Sequence, residues 1–233
     1  MSRNVVGILG GMGPEATILL QQRLLATVKA RDDADHLPLL IDMNPQVPSR
    51  IAHLIDGTGE DPSPVLAEMA RRLQAAGATA LAMPCNTAHH YAPAIEASVT
   101  IPLLNMVDLA VARAAGITSH GARIGILASP AVQRAGVFDP ALLHAGLSAV
   151  WPDNIDRMLD AIRDIKANGP TSAAHYILSE AATELVRKGA DLLFVACSEF
   201  SLLAPSLTAP VPVLDTIDVL AAAIHAHTLE KSS

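Results

Sequence analysis

A chain of 233 residues with 51% hydrophobic content is long enough to bury a large core as one domain or two small ones, with 3 Phe, 2 Tyr and 1 Trp to fill it. Its 16 Lys and Arg against 23 Asp and Glu leave a net charge of −7, which gives neither nucleic acid nor an anionic membrane an electrostatic handle. No apolar run approaches the roughly 20 residues that span a bilayer, and Met1-Ser-Arg-Asn-Val-Val-Gly-Ile-Leu9 lacks the long apolar segment of a secretory signal, so a soluble cytoplasmic protein is expected.

Short apolar runs alternate with longer helical patterns. Strands are predicted at Val5–Leu9, Leu37–Met43, Thr79–Met83, Ile101–Leu104, Arg123–Ala128, Leu147–Trp151, Asp191–Ala196 and Val211–Leu214. Helices are predicted at Pro14–Ala30, Pro64–Ala76, Thr87–Ser98, Val107–Ala115, Asn154–Asn168, Thr171–Lys188 and Thr216–Lys231. Alternation with strands that are apolar throughout indicates an α/β fold with parallel sheets covered on both faces.

The loop after the first strand, Gly10-Gly11-Met12-Gly13-Pro14-Glu15-Ala16, meets the Gly-x-Gly-x-x-Gly/Ala spacing of a dinucleotide fingerprint. The acidic residue that would hold a ribose, Asp42, comes 29 residues after Gly13 rather than about 20, and Gly-Lys-Ser/Thr is absent. The loop therefore reads as a glycine turn that lets the backbone approach a ligand or a neighbouring chain, with Pro14 opening the helix.

Three segments recur in the same order. Asn4-Val-Val-Gly-Ile-Leu-Gly-Gly11 resembles Ala122-Arg-Ile-Gly-Ile-Leu-Ala-Ser129 at an offset of 118. Ala80-Leu-Ala-Met-Pro-Cys85 resembles Leu192-Leu-Phe-Val-Ala-Cys197 at 112, and Ile101-Pro-Leu-Leu-Asn-Met-Val-Asp108 resembles Val211-Pro-Val-Leu-Asp-Thr-Ile-Asp218 at 110. This is an internal duplication. It predicts two similar lobes, each a parallel four-stranded sheet flanked by helices, related by pseudo-two-fold symmetry with the active site between them. The first lobe comprises residues 1–105 plus 215–233 and the second 106–214, with the last helix packed on the first lobe.

The only two cysteines, Cys85 and Cys197, occupy duplicated strand ends, where an α/β fold presents side chains to its ligand. They are expected as free thiols in a cytoplasmic protein, with a structural disulfide as the alternative. Each is followed by small polar residues where a helix N-cap belongs, Asn86-Thr87 and Ser198-Glu199, a setting that favours thiolate. Two opposed thiols are the geometry of two-base proton transfer. His89 and His90 diverge on a helix and complete no zinc-ligand spacing, so no metal is expected.

The set Gly-Gly-Met-Gly-Pro-Glu-Ala-Thr, Pro84-Cys-Asn-Thr-Ala-His89 and Cys197-Ser-Glu199 resembles the cofactor-independent aspartate/glutamate racemase family, specifically its aspartate racemase branch. The resemblance covers the whole chain in order. It implies an amino-acid racemase without a cofactor, a homodimer, with Cys85 and Cys197 as acid and base on the substrate Cα. It implies substrate contacts from Gly11, Met12, Arg50, Asn86, Thr87, Ser129, Lys166, Ser198 and Glu199, the distal carboxylate of an acidic amino acid falling to Arg50 and Lys166. Where the family has Gly-Cys-Thr-Glu, this chain has Ala196-Cys-Ser-Glu199, and where the family tends to place threonines and a tyrosine after the fifth strand it has Ser129, Val132 and Phe138. A cysteine-nucleophile hydrolase or isomerase, or a ligand-binding relative without turnover, are the rival readings.

Overall fold

The computed structural model describes residues 3–230. They fall into two compact units, one running up to Leu109 and resuming at Ile217, the other Ala110–Thr216. In the first unit β1 (Val6–Gly10), β2 (Leu39–Met43), β3 (Ala80–Ala82) and β4 (Leu103–Leu104) form one sheet in the order β2-β1-β3-β4. In the second, β5 (Arg123–Leu127), β6 (Ser148–Val150), β7 (Leu192–Val195) and β8 (Val213–Asp215) repeat it as β6-β5-β7-β8. Every pairing is parallel.

Register carries the duplication to the level of single residues. Gly7 pairs with Leu40 and Leu81, and Leu81 with Leu103; Gly125 pairs with Val150 and Leu193, and Leu193 with Val213. The offsets across β1, β3 and β4 are again 118, 112 and 110. A Cβ on Gly7 would sit 3.0 Å from the Cβ atoms of Ala78 and Leu73 and 3.1 Å from Leu81 Cδ2. On Gly125 it would meet Ala190 and Leu185 at 3.0 and 3.1 Å and Leu193 Cδ2 at 2.6 Å, each neighbour 112 positions after its counterpart. Both glycines exist because the helix behind the sheet packs on the bare backbone of the central strand.

Those helices are α2 (Ser63–Ala75), which buries Leu66, Met69, Ala70 and Leu73, and α8 (Ser172–Arg187), which buries Ala174, Leu178, Ala181, Ala182 and Leu185. The i, i+3, i+4 and i+7 spacing puts each set on one face. The Thr171 hydroxyl caps α8 by accepting the Ala174 N–H at 3.0 Å. Central strands β1, β3 and β7 are buried at every residue, whereas β2, at a sheet edge, is half-exposed. All three phenylalanines, Phe138, Phe194 and Phe200, are sealed in the second unit. Each contributes about 1.5–3 kcal/mol of burial.

The remaining longer helices are α1 (Pro14–Thr27), α4 (Met106–Ala115), α7 (Ile155–Asn168) and α10 (Thr216–Leu229). The expected end of the last helix at Lys231 lies outside the described residues. Within the first unit, Asn4 Nδ2 donates to the His227 carbonyl at 3.0 Å, and Arg23 pairs with Asp218 at 3.0 Å. The expected helix over Thr87–Ser98 is two pieces, a 3-10 turn at Thr87–Tyr91 and a short α3 at Ala92–Glu96. The sequence reading missed the short α5 (Pro130–Arg134) and α6 (Asp139–His144) and the π-helical turn Ala52–Asp56, while the helix start expected behind Cys197 is the four-residue α9 (Ser198–Ser201). Asp42 accepts both Nε and Nη2 of Arg72, at 3.1 and 2.6 Å, so the carboxylate weighed for a ribose is engaged by α2. Among the described residues no helix is long and apolar enough to cross a membrane, and no group of three or more His, Cys, Asp and Glu is placed to hold a metal ion.

Candidate active site

Cys85 follows β3 after two residues and Cys197 follows β7 after one, at positions 112 apart like the strand partners Leu81 and Leu193. Both are free and nearly buried, 7% and 9% exposed, so neither is an open thiol.

In the first unit Cys85 lies in the apolar cluster that contains Met12, Val47, Ala88 and Tyr91. Its backbone is pinned from both sides. The Cys85 N–H donates to the Met83 carbonyl at 2.9 Å, and the Cys85 carbonyl accepts from His89 Nδ1 at 2.8 Å. His89 Nε2 accepts the Met106 N–H at 3.1 Å, which fixes the neutral Nδ1–H tautomer and ties the thiol's turn to the start of α4. The role played by His89 falls, at the duplicated position, to a different side chain. Ser201, also four residues after its cysteine, has its hydroxyl 3.4 Å from the Cys197 carbonyl and 2.7 Å from Oδ1 of Asp215, the last residue of β8 before α10.

Burial pushes the His89 pKa down to about 4, against the opposing pull of the Cys85 carbonyl. The unfolded imidazole takes up its proton near the ordinary 6.5, so between these values the unfolded state binds more protons. Stability should therefore fall as pH drops from 6.5 towards 4, by about 3 kcal/mol for a shift of this size. Urea midpoints measured across that window should lose this part of their slope in His89→Gln, which carries no charge at any pH; an unchanged slope would remove the assignment.

Gly11, with φ +90°, turns the chain so close to Asn44 that a Cβ would lie 2.4 Å from the Asn44 carbonyl. The next residue, Met12, is buried and offers its carbonyl to Arg50 Nη2 at 3.3 Å, while Arg50 Nη1 donates to the carbonyls of Pro48 and Val47 at 3.1 and 3.4 Å. Arg50 is half-buried and has no carboxylate partner among the described residues. Asn86 is buried at the head of the 3-10 turn that Thr87 opens. Asn86 has αR backbone and makes no side-chain cap, which corrects the expected helix N-cap behind Cys85. Two further side chains were missed. His53, three residues after Arg50, places Nδ1 2.7 Å from the hydroxyl of Tyr91, six residues after Cys85.

In the second unit Cys197 Sγ donates to Glu199 Oε2 at 2.9 Å, and the Ser198 hydroxyl lies 3.4 Å from the same oxygen. Lys166, from α7, reaches Glu199 Oε1 at 3.2 Å; Glu199 is 12% exposed and Lys166 45%. Four expected residues are thus brought together. Burial first, then the charge of Glu199 and its hydrogen bond from the thiol, holds the Cys197 pKa well above the ordinary thiol value, with the Glu199 N–H and Lys166 pulling the other way. This reverses the thiolate-favouring setting expected from sequence, since the four residues of α9 carry little dipole and burial prevails. Ser129 is buried after β5, 118 positions beyond Gly11. Val132 and Phe138 are core residues, Phe138 packing on Phe194 with ring centroids 5.6 Å apart. The 330 Å³ cavity beside α7 and α8, lined by Arg157, Tyr176, Glu180 and Arg187 among others, contains none of the expected site residues.

The Asp/Glu/hydantoin racemase family model matches residues 9–224. The chain belongs to this family. Among known racemases it is similar to the broad specificity amino-acid racemase RacX of Bacillus subtilis, 23% identical over 227 residues that cover 93% of this chain and 95% of that protein. Among solved structures it is similar to the aspartate racemase of Picrophilus torridus, with a TM-score of 0.83 and 27% identity over 99% of this chain and 96% of that one. An aspartate racemase homologue from Pyrococcus horikoshii shares the fold at a TM-score of 0.75, with 18% identity over 99% of this chain and all of that one. Racemase membership places the protein among the isomerases.

Proposed function

We propose that the protein is an amino-acid racemase that needs no cofactor and inverts the Cα of aspartate or glutamate by proton transfer between Cys85 and Cys197. The observation that carries the reading is a thiol at the same point of a duplicated unit, 112 positions apart, as the strand registers are. Inversion needs a base on one face of Cα and an acid on the other, and one base returning its proton to the same face would give retention. The similarity to the Picrophilus torridus aspartate racemase and the guanidinium of Arg50 support an acidic substrate.

The two units supply unequal thiols. Cys197, held protonated by burial and Glu199, is the resting acid, and Cys85 takes the Cα proton. After transfer Cys85 carries the abstracted proton and Cys197 is thiolate. For the opposite enantiomer Cys197 must begin as base, and Glu199, 2.9 Å away, is placed to accept its proton. Backbone amides near the thiols, with Asn86, Thr87 and Ser198, are the donors available to meet carbanion-like charge.

L-Aspartate and L-glutamate in D2O test this. At low conversion deuterium should enter the D-product and stay out of the recovered L-substrate, read by mass spectrometry. A covalent mass increase on either cysteine would identify a nucleophilic enzyme instead, and neither exchange nor adduct a binding protein.

A further inference from the structure

Arg50 sits in the long connection between β2 and α2, residues 44–62, where only Val47 and Pro62 are buried. A connection so weakly buried has little reason to hold a cation in one place. The carbonyls of Val47, Pro48 and Met12 hold the Arg50 guanidinium directly, and one part-buried side-chain contact anchors the turn that carries it. Residues 50–56 form one helical turn, π-helical from Ala52, so Arg50 and His53 are carried by the same short segment. His53 Nδ1 lies 2.7 Å from the Tyr91 hydroxyl, and Tyr91, 4% exposed, ends the 3-10 turn that begins two residues after Cys85. Tyr91 packs in the same apolar cluster as Cys85, with the His90 ring edge-on at 5.0 Å and Leu54 of the helical turn against the cluster. Burial lifts the Tyr91 pKa to about 12, so the phenol keeps its proton, and its hydroxyl bonds His53 Nδ1 in the direction the imidazole tautomer sets. This side-chain hydrogen bond ties the turn carrying Arg50 to the turn carrying Cys85.

We propose that the Tyr91–His53 hydrogen bond is a clasp that sets the position of the Arg50 guanidinium relative to Cys85, and so selects amino acids whose side chain ends in a carboxylate. The inference rests on the reading that Arg50 receives that carboxylate. Three carbonyls take Nη1 and Nη2 protons of Arg50, leaving donors of its five N–H groups for a substrate oxygen. Tyr91 and His53 act through Arg50 and are positioning residues.

The clasp predicts a split between KM and kcat. Tyr91→Phe, which keeps the ring and removes the hydroxyl, should raise KM for L-aspartate and L-glutamate about fivefold to tenfold, the scale of one hydrogen bond, with kcat within about twofold. The inhibition constant of L-alanine, which lacks the distal carboxylate, should not move. His53→Ala, on the half-exposed side of the contact, should reproduce the effect, and His53→Gln, whose amide oxygen can accept the phenol proton, should restore most of it. In an Arg50→Ala background Tyr91→Phe should add nothing. Arg50→Ala raising acidic KM while Tyr91→Phe and His53→Ala leave it unchanged would overturn the clasp and spare the role of Arg50. An equal loss of kcat on acidic substrates with weakened alanine binding would overturn it too, by marking the pair as merely structural. Unchanged acidic KM in Arg50→Ala would instead sink the carboxylate reading and the clasp with it.

Discussion

Cys85→Ser and Cys197→Ser should each lower racemisation of the acidic substrate by at least the roughly 10²- to 10⁴-fold that general acid-base catalysis supplies. A serine hydroxyl ionises far above neutrality, so it neither takes the Cα proton nor returns one at a useful rate, while its size leaves the buried pocket of either cysteine intact. The two losses should differ in kind. Each variant keeps one thiol and therefore one reachable face of Cα. Cα–H exchange in D2O should survive for one enantiomer in Cys85→Ser and for the other in Cys197→Ser, which NMR of the recovered substrate reads directly. Full racemisation by either variant would show that one thiol is a bystander, and the two-base proposal would be lost.

The pair of thiols was legible because duplication leaves two records of the same structural demand. Gly7 and Gly125, Leu81 and Leu193, Leu103 and Val213 are matched in sequence and then matched again as strand partners. Strands buried on both faces also announce themselves as unbroken apolar runs, as at Val6–Gly10 and Leu192–Val195. What stayed illegible depended on contacts or on short elements. The five residues of α5 and six of α6 are too brief to show a helical period. His89 and Ser201 do equivalent work four residues after each cysteine, but with unlike side chains, so comparing identities between the halves does not pair them. The meeting of His53 with Tyr91 spans 38 positions and is set by tertiary packing alone. The ionisation of Cys197 was misjudged for a related reason: the motif gives the thiol's neighbours, whereas burial and the direction of the Glu199 carboxylate decide its charge.

That carboxylate leads to the second large effect. Glu199→Gln should reduce kcat/KM by about 10²-fold, the lower end of what a positioned proton acceptor provides. The amide cannot take the Cys197 proton, so the thiol loses the neighbouring acceptor that receives this proton during turnover. Because the two enantiomers are equal in free energy, kcat/KM must fall equally in both directions even though Cys197 is base in only one of them; circular dichroism followed from each enantiomer checks this. The thiol itself should titrate the other way. Glu199 raises the Cys197 pKa by charge and hydrogen bond, so its removal should bring the pH dependence of iodoacetamide alkylation at Cys197 downward, while burial, the largest cause, still holds it above an ordinary thiol. Lys166 acts with the opposite sign, pairing with Glu199 at 3.2 Å and lowering the Cys197 pKa, so Lys166→Met should move the same alkylation profile upward. Opposite shifts in the two variants, with the larger catalytic loss in Glu199→Gln, are expected of a carboxylate that handles the thiol's proton. Shifts of the same sign, or undiminished kcat/KM in Glu199→Gln, would leave Glu199 as a substrate contact and return the proton of Cys197 to solvent.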